Sequence, residues 1–277
     1  MALLHDDDSD VALEREAELL ALHQLDEKSV RLRQEGRYLE ALKCLERGLV
    51  LRQHFFGVNS DEVWQACKIV GELCNLIAMM YLQQGDFKMT QKLLKKAEIL
   101  YQNDDAGRAV TYNNMACYHR RRGKLGLALK CLKKTLRLES KLADVKHPGD
   151  THLNVCAVLS QLGRHAQALE HAQAALILLQ EELFDPQNNN EEHVISPDRI
   201  AVLAIAYHNI GVENEFLKQW EMAVESYKKG SELAHAHLGD AHGMTATLRN
   251  SYLAAKASLS QHKGVTLPPL FKKRPAA

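Results

Sequence analysis

The chain has 277 residues, and its 35 Lys and Arg balance its 35 Asp and Glu, so the formal net charge is zero. Apolar residues make up 46% and charged residues 25%, which is typical of a protein that buries a core. The balanced charge argues against nucleic acid or an anionic membrane as partner, because both favour a basic surface, and no apolar run reaches the roughly 18 residues of a membrane-spanning helix.

The N-terminal segment 1–10 is acidic and lacks the basic flank and apolar core of a signal peptide. We therefore predict an acidic tail over 1–10 and a cytoplasmic protein. The cysteines agree with this compartment, since none forms a Cys-x-x-Cys pair and each lies among apolar residues at helical spacing. We expect all six to be reduced and buried. They are Cys44, Cys67, Cys74, Cys117, Cys131 and Cys156.

Proline and glycine divide the following residues into paired helices. No proline precedes position 148, so nothing in the first half forbids helix. A glycine-centred phrase recurs four times, and a fifth copy carries lysine in its place; an apolar pattern of period near 3.6 lies on both sides of each. This predicts helix, tight turn, helix, and an all-α fold. The turn positions are Gly36, Gly85, Gly123, Gly163 and Lys218.

The turn positions place the predicted pairs in chain order within a repeat domain over 11–262. The five pairs are expected over 12–54, 61–102, 106–142, 149–183 and 197–238. A last helix over 240–262 would cover the apolar face of the fifth pair. We expect a polar loop over 184–196 and a Pro-rich, basic tail over 263–277. The basic cluster 272–274 is open to two interpretations, a docking or import motif and an inert solubilising tail.

Small side chains recur at three places in every pair: seven residues before the turn position, five after it and twelve after it. Two helices joined by a tight turn can approach closely only where side chains are short. We therefore predict that these places are contacts between helices. In that order, they hold Ser29, Ala78, Ala116, Cys156 and Gly211; Ala41, Thr90, Ala128, Ala168 and Ala223; and Gly48, Ala97, Thr135, Ala175 and Gly230.

This pattern resembles the tetratricopeptide repeat, in which units of two helices stack into a superhelix. The resemblance covers about residues 12–262. The turn positions are 49, 38, 40 and 55 residues apart, which exceeds the roughly 34 residues of the standard unit. These spacings, and phrases such as Tyr-Asn-Asn-Met-Ala at 112–116, are similar to the longer repeats of kinesin light chains. The resemblance implies a right-handed α-solenoid of about five repeats with a capping helix.

Motifs of catalysis are missing from the sequence, which has no phosphate-binding G-x-x-x-x-G-K-[ST], no H-E-x-x-H and no G-x-S-x-G. The fourteen histidines raise the question of a metal site, above all at His235, His237 and His242. Residues two apart on a helix point about 200° from each other, so His235 and His237 cannot chelate together. We expect no catalytic residue, no metal and no cofactor.

The resemblance also implies that the first helix of each repeat lines a concave groove. Asparagine recurs there nine residues before the turn position, at Asn114, Asn154 and Asn209. An amide both donates and accepts hydrogen bonds, so such a row can bind the backbone of a peptide whatever its side chains. In the alternative interpretation, these amides bond one another between repeats and set the register of the helices.

Arg120 and Arg121 end the first helix of the third repeat near the same face. Clustered arginines bind carboxylates through paired hydrogen bonds, although cations also complement the C-terminal end of a helix. The groove therefore predicts an acidic or carboxylate-bearing peptide as partner. Its candidate residues are Asn75, Asn113, Asn114, Arg120, Arg121, Asn154, Gln161, His208 and Asn209.

The functional hypothesis is a non-enzymatic adaptor or scaffold that binds a segment of a partner protein in this groove. The alternative is a structural component of a ciliary, axonemal or other cytoskeletal assembly, held by its outer surface, because extended repeats similar to these also occur there. The first hypothesis predicts a location in the cytoplasm, and the second a location in a cilium, flagellum or cytoskeleton.

Overall fold

The computed structural model describes residues 6–184 and 196–264, and within them every secondary-structure element is an α-helix. This confirms the predicted fold class. The helices form consecutive pairs joined by short turns. The pairs are α1 (Asp6–Gln34) with α2 (Tyr38–Phe56), α3 (Asp61–Gln84) with α4 (Phe87–Leu100), α5 (Asp105–Arg121) with α6 (Leu125–Glu139), α7 (Pro148–Gln161) with α8 (His165–Phe184), and α9 (Pro197–Phe216) with α10 (Trp220–Leu238); α11 (Gly243–Gly264) follows.

The predicted tails and loop differ in extent from what the structure describes. Helix α1 begins at Asp6, so residues 6–10 are helical rather than part of an acidic tail. Aspartate predominates in this stretch of the sequence, and the positive N-terminal end of a helix favours acidic residues. Helix α8 likewise includes Phe184, and α11 extends to Gly264. The remaining parts of these predictions, including the basic cluster, fall on residues 1–5, 185–195 and 265–277, outside the described residues.

The helices group into two compact units, one containing α1–α6 and the other α7–α11. Helix α3 contacts its own partner α4 and also α5, and α7 contacts its own partner α8 and also α9. Helix α11 contacts both α9 and α10, so it covers the fifth pair as predicted for a capping helix.

The small residues predicted at helix contacts are all buried, in every pair. At three glycines of the described residues an aromatic ring fills the space that a side chain would need. A Cβ atom added to Gly211 would lie 2.4 Å from the ring of Tyr227 on α10. The Tyr227 hydroxyl donates a hydrogen bond to Glu215 at 2.9 Å, which holds the ring in that position.

Tyr101, directly after α4, has the same role in the first unit. Its ring lies between α3 and α5, where Cβ atoms on Gly71 and Gly107 would approach it to 2.6 and 2.1 Å. The residue is 4% exposed, and its hydroxyl donates to the carbonyl oxygen of Lys68 at 3.1 Å. Burial raises the pKa of this hydroxyl, so it stays protonated. One tyrosine therefore fixes the distance between two successive first helices.

Each turn position adopts the left-handed backbone conformation, with φ between 60° and 82°. Glycine enters this region without steric cost, and at four of the five turns glycine is present. Lys218 has φ 60° and is the one non-glycine residue with positive φ among the described residues. The lysine predicted to occupy a glycine position does so at a steric cost.

Replacing that residue, Lys218→Gly, should raise the free energy of unfolding by about 1 kcal/mol, because glycine removes the steric cost of the left-handed backbone. Chemical denaturation followed by circular dichroism measures this change. Lys218→Ala is the control and should leave stability near that of the wild type, since alanine meets the same restriction. Lower stability of the glycine variant would contradict this account of the turn.

Helix α3 is long and apolar enough to cross a membrane by length and composition alone. Half of its most apolar stretch is buried inside this protein. Its buried residues include Val70, Cys74 and Ala78, which belong to the hydrophobic core of the first unit. The apolar composition of α3 is therefore explained by packing between helix pairs.

Candidate functional site

Two of the side chains ten residues before the turn position, Asn75 and His208, contact a following helix, α5 and α11 respectively. Asn75 is 5% exposed, and its Nδ2 donates to Oγ1 of Thr111 on α5 at 3.0 Å. His208 Nε2 lies 3.4 Å from Oγ of Ser251 on α11, and burial lowers the pKa of this histidine. Asn75 therefore does not lie on an open surface. At this place the structure favours the interpretation in which polar side chains set the register between repeats.

The side chains one residue later, nine before the turn position, are open to solvent in every pair. Leu76 is exposed, and Asn114, Asn154 and Asn209 are each partly exposed. Successive residues on a helix are about 100° apart, so this row points away from the buried connections. The amides also have contacts within the protein: Asn209 hydrogen-bonds His208, and both Asn154 and Asn113 have polar partners.

A second open row lies two turns further along the same helices, two residues before the turn position. All five side chains in it are exposed. Seven residues on a helix bring a side chain back to nearly the same face, so the two rows form one strip on each first helix. We call these residues the first-helix strip. In the two rows, from α3 onwards, they are Leu76, Asn114, Asn154 and Asn209, then Gln83, Arg121, Gln161 and Phe216.

The two predicted arginines have different surroundings. Arg121 is exposed, and its Nη2 donates to the carbonyl oxygen of Gln83 at 3.1 Å, in the last turn of α3. A cation is favourable there because the C-terminal end of a helix is electronegative. Arg120 is half-buried on α5. Arg121 therefore caps the neighbouring helix, while part of its guanidinium group still faces solvent.

An apolar cleft lies between the first and second helix pairs. None of the candidate residues predicted from the sequence lines it. Two cavities of about 300 and 370 Å³ adjoin there and share the ring of Tyr38. Val30, Leu39, Leu76 and Met80 line them and remain 38–51% exposed. We call this the Tyr38 cleft. Its sequence signal was the apolar Leu76 in a row otherwise rich in asparagine.

Three of the six cysteines differ from the expectation that all are buried. Cys44, Cys74 and Cys156 are buried, and burial raises the pKa of the last two thiols to about 11 and about 12. Cys67, Cys117 and Cys131 are only half-buried, because they lie at the edges of their helices' buried faces. Within residues 6–184 and 196–264, no three His, Cys, Asp or Glu side chains are close enough to share a metal ion.

Comparison with known proteins agrees with this architecture. Residues 72–139 match the tetratricopeptide repeat family. Crystal structures with TM-scores above 0.5 include BtubC (BKLC) from P. vanneervenii and a signal-transduction ATPase with a tetratricopeptide repeat sensor from Pyrococcus horikoshii. Residues 72–139 therefore match tetratricopeptide repeats, and the described residues have the fold of a tetratricopeptide-repeat solenoid.

The alignments of these structures differ in extent. BtubC is 17% identical with a TM-score of 0.59, and the alignment covers 88% of this chain and 96% of that one. The ATPase is 18% identical with a TM-score of 0.55, covering 88% of this chain but 36% of the ATPase. Repeats of a putative kinesin light chain from Podosopora anserina align with 14% identity and a TM-score of 0.49, over 78% of this chain and 95% of that one. Among curated protein sequences, none is significantly similar to this chain.

The family match and the structures with TM-scores above 0.5 confirm the resemblance to the tetratricopeptide repeat, and the identities are low enough that these structures show the fold alone. Tetratricopeptide repeats generally mediate contacts between proteins, and the fold is typically not that of an enzyme. For this fold, the open strip on the first helices and the Tyr38 cleft are the natural candidates for partner binding.

Proposed function

We propose that this protein is a cytoplasmic adaptor or scaffold that binds extended segments of partner proteins along the first-helix strip of each unit. The observation that supports the proposal most directly is that the two rows of this strip are partly or fully exposed in every pair. Asparagine, glutamine and arginine on the strip can bond a peptide backbone and its carboxylates.

The chemistry of the partner segment follows from the two kinds of surface in the first unit. Leu76 belongs both to the strip and to the Tyr38 cleft, so a segment that lies on the strip can place an apolar side chain in the cleft. Asn114 and the exposed part of Arg121 are polar and cationic. We therefore propose a segment with an apolar anchor near acidic residues, because buried apolar anchors provide most of the affinity and charged contacts provide orientation.

Replacing two strip asparagines, Asn114→Ala with Asn154→Ala, should weaken binding of the partner tenfold or more, through loss of hydrogen bonds to its backbone. Partners are first found by proximity labelling with the full chain, and each purified partner is then titrated against wild type and variant. Helical circular dichroism and melting temperature should stay unchanged, since both side chains are partly exposed. If the variant lost its helical structure to the same extent as it lost partner binding, the result would contradict the proposal.

A matched control replaces two exposed asparagines outside the strip, Asn103→Ala with Asn250→Ala. This variant should bind the partner like the wild type. The comparison also separates the adaptor from the alternative, a structural role in a ciliary or cytoskeletal assembly. A protein held by its outer surface should assemble normally with either pair of substitutions. If the strip variant assembled normally and bound its partner as tightly as the wild type, the result would favour that alternative.

A further inference from the structure

Positive charge is concentrated on two helices of a chain whose net charge is zero. Helix α4 carries four cationic side chains and α6 carries four, against one glutamate in each. These cations are Lys88, Lys92, Lys95 and Lys96 on α4, and Lys130, Lys133, Lys134 and Arg137 on α6. This excess of positive charge is local to two helices, so it cannot be seen in the net charge of the whole chain.

Lysine recurs at the same places in both helices: seven, ten and eleven residues after the turn position. At about 100° per residue, these places fall within one third of the helix circumference. The buried small residues five and twelve after the turn position lie on the opposite side. The lysines of α4 and α6 therefore form a repeated face that points away from the core of the first unit. Helix α2 adds the exposed Lys43 and Arg47 at two of these places.

Most of these charges have no counter-ion. Lys96 pairs with Glu46 on α2, and Lys134 Nζ lies 4.4 Å from the centre of the Tyr112 ring. The other lysines at the three places are exposed and form no ion pair with any residue that the structure describes. We call these four the lysine face. They are Lys92, Lys95, Lys130 and Lys133.

A purely solubilising surface would not need this arrangement. Like charges three or four residues apart on a helix repel each other and destabilise it, and soluble surfaces usually mix both signs. The fifth pair of this chain has such a mixture of both signs, with lysines at two of the same three places paired to glutamates. There Lys228 and Lys229 on α10 lie 3.9 and 3.4 Å from the carboxylates of Glu232 and Glu225. The four residues of the lysine face have no such pairing with any carboxylate that the structure describes.

We propose that the lysine face is a docking surface for an acidic segment of a partner protein, separate from the first-helix strip. Exposed ammonium groups in a row are complementary to a run of carboxylates, with several weak contacts acting together. Ile99 lies on the same face of α4 and is 70% exposed, so a partner with an apolar side chain beside its acidic residues gains a further contact.

A protein segment fits this face better than nucleic acid or a membrane. The single aromatic side chain of α4 and α6, Phe87, is half-buried against Tyr118 and cannot stack on bases. Ile99 alone offers little apolar area for insertion into lipid. The inference does not depend on the proposed use of the first-helix strip, because it involves other helices and other side chains.

The test uses the full chain and a fluorescent, synthetic Glu-rich peptide that contains leucine, with its Gln-rich counterpart as the uncharged probe. Lys130→Gln with Lys133→Gln should weaken binding of the acidic peptide about fivefold to tenfold, and salt near 0.5 M should abolish it. The melting temperature should stay equal or rise, because like-charge repulsion is removed. The matched control, Lys228→Gln with Lys229→Gln, makes the same charge change and should alter binding less than twofold.

Several results would overturn the inference. Equal weakening in both lysine variants would show attraction to net charge alone, and equal binding of the Gln-rich peptide would show that charge is not involved. Tighter binding of polyuridine or of phosphatidylserine vesicles would assign the face to RNA or to a membrane. Binding that is lost in the Asn114→Ala, Asn154→Ala variant but kept in the lysine variant would place the acidic peptide on the first-helix strip. Wild-type binding by that asparagine variant is the supporting result, whatever the strip itself binds.

Discussion

Tyr101→Ala should lower the free energy of unfolding by about 3–5 kcal/mol, as expected for deleting a large buried aromatic side chain. The ring fills space on both sides where α3 and α5 carry glycine, so its loss leaves a cavity that neither helix can fill without moving. Tyr101→Phe keeps the ring and should cost only about 1 kcal/mol, for the lost hydrogen bond to Lys68. Denaturant titration followed by circular dichroism measures both changes.

A double-mutant cycle tests whether Tyr101 and the facing glycine act together. Gly107→Ala should cost about 1–3 kcal/mol in the wild type, because the added methyl group overlaps the ring. In a Tyr101→Leu background the same substitution should cost much less, since the ring is gone. Strictly additive costs would show that the ring does not determine the spacing of α3 and α5.

His165→Ala should destabilise the second unit by about 3 kcal/mol. Glu213 on α9 is 2% exposed, and its carboxylate lies 2.8 Å from Nδ1 of His165 at the start of α8. Removing the imidazole leaves a buried carboxylate without this partner, which costs far more than an exposed ion pair is worth. The same substitution removes the stacking of His165 on Phe216, whose ring centres are 4.0 Å apart. Thermal and chemical denaturation measure the loss.

The control for this pair replaces Glu213 by the residue that another helix pair of the same chain has at the equivalent place. Val158 occupies in the fourth pair the place that Glu213 occupies in the fifth, five residues before the turn position, and it is buried. Glu213→Val combined with His165→Ala should therefore recover most of the lost stability, because no unpaired charge remains in the core. If the double variant were as unstable as His165→Ala alone, the buried carboxylate would not be the cause.

The repeat organisation could be predicted because its determinants are local and periodic. The turn positions recur at every hairpin, and Lys218 was recognised in a glycine position from its neighbours alone. The small residues could be recognised because close helix packing restricts side-chain size wherever two backbones meet. The helix ends were less certain, as the start of α1 at Asp6 shows, because acidic residues suit both a solvated tail and the first turn of a helix.

The candidate site could be predicted only in part. Asn75 and Asn114 are both first-helix asparagines, and the sequence offered groove binding and register setting as alternatives for the whole row. In the structure these two residues differ in place by one position relative to the turn. Asn75, ten residues before its turn position, bonds Thr111 inside the core, whereas Asn114, nine residues before its own, is partly exposed. A difference of about 100° around a helix decides between these roles, and it depends on how α3 and α5 pack.

The composition and periodicity of this sequence by themselves determined a chain of helix pairs, their turns and the side chains on which they pack, because those features depend on neighbours within one hairpin. Tertiary structure alone decided which polar side chains form contacts between helix pairs and which stay exposed to solvent. It paired Lys96 with Glu46 but left Lys92 and Lys130 without a described counter-ion, and it brought Val30 and Leu76 together beside Tyr38. Such contacts join residues far apart in sequence, so their geometry follows from the packing of whole helices.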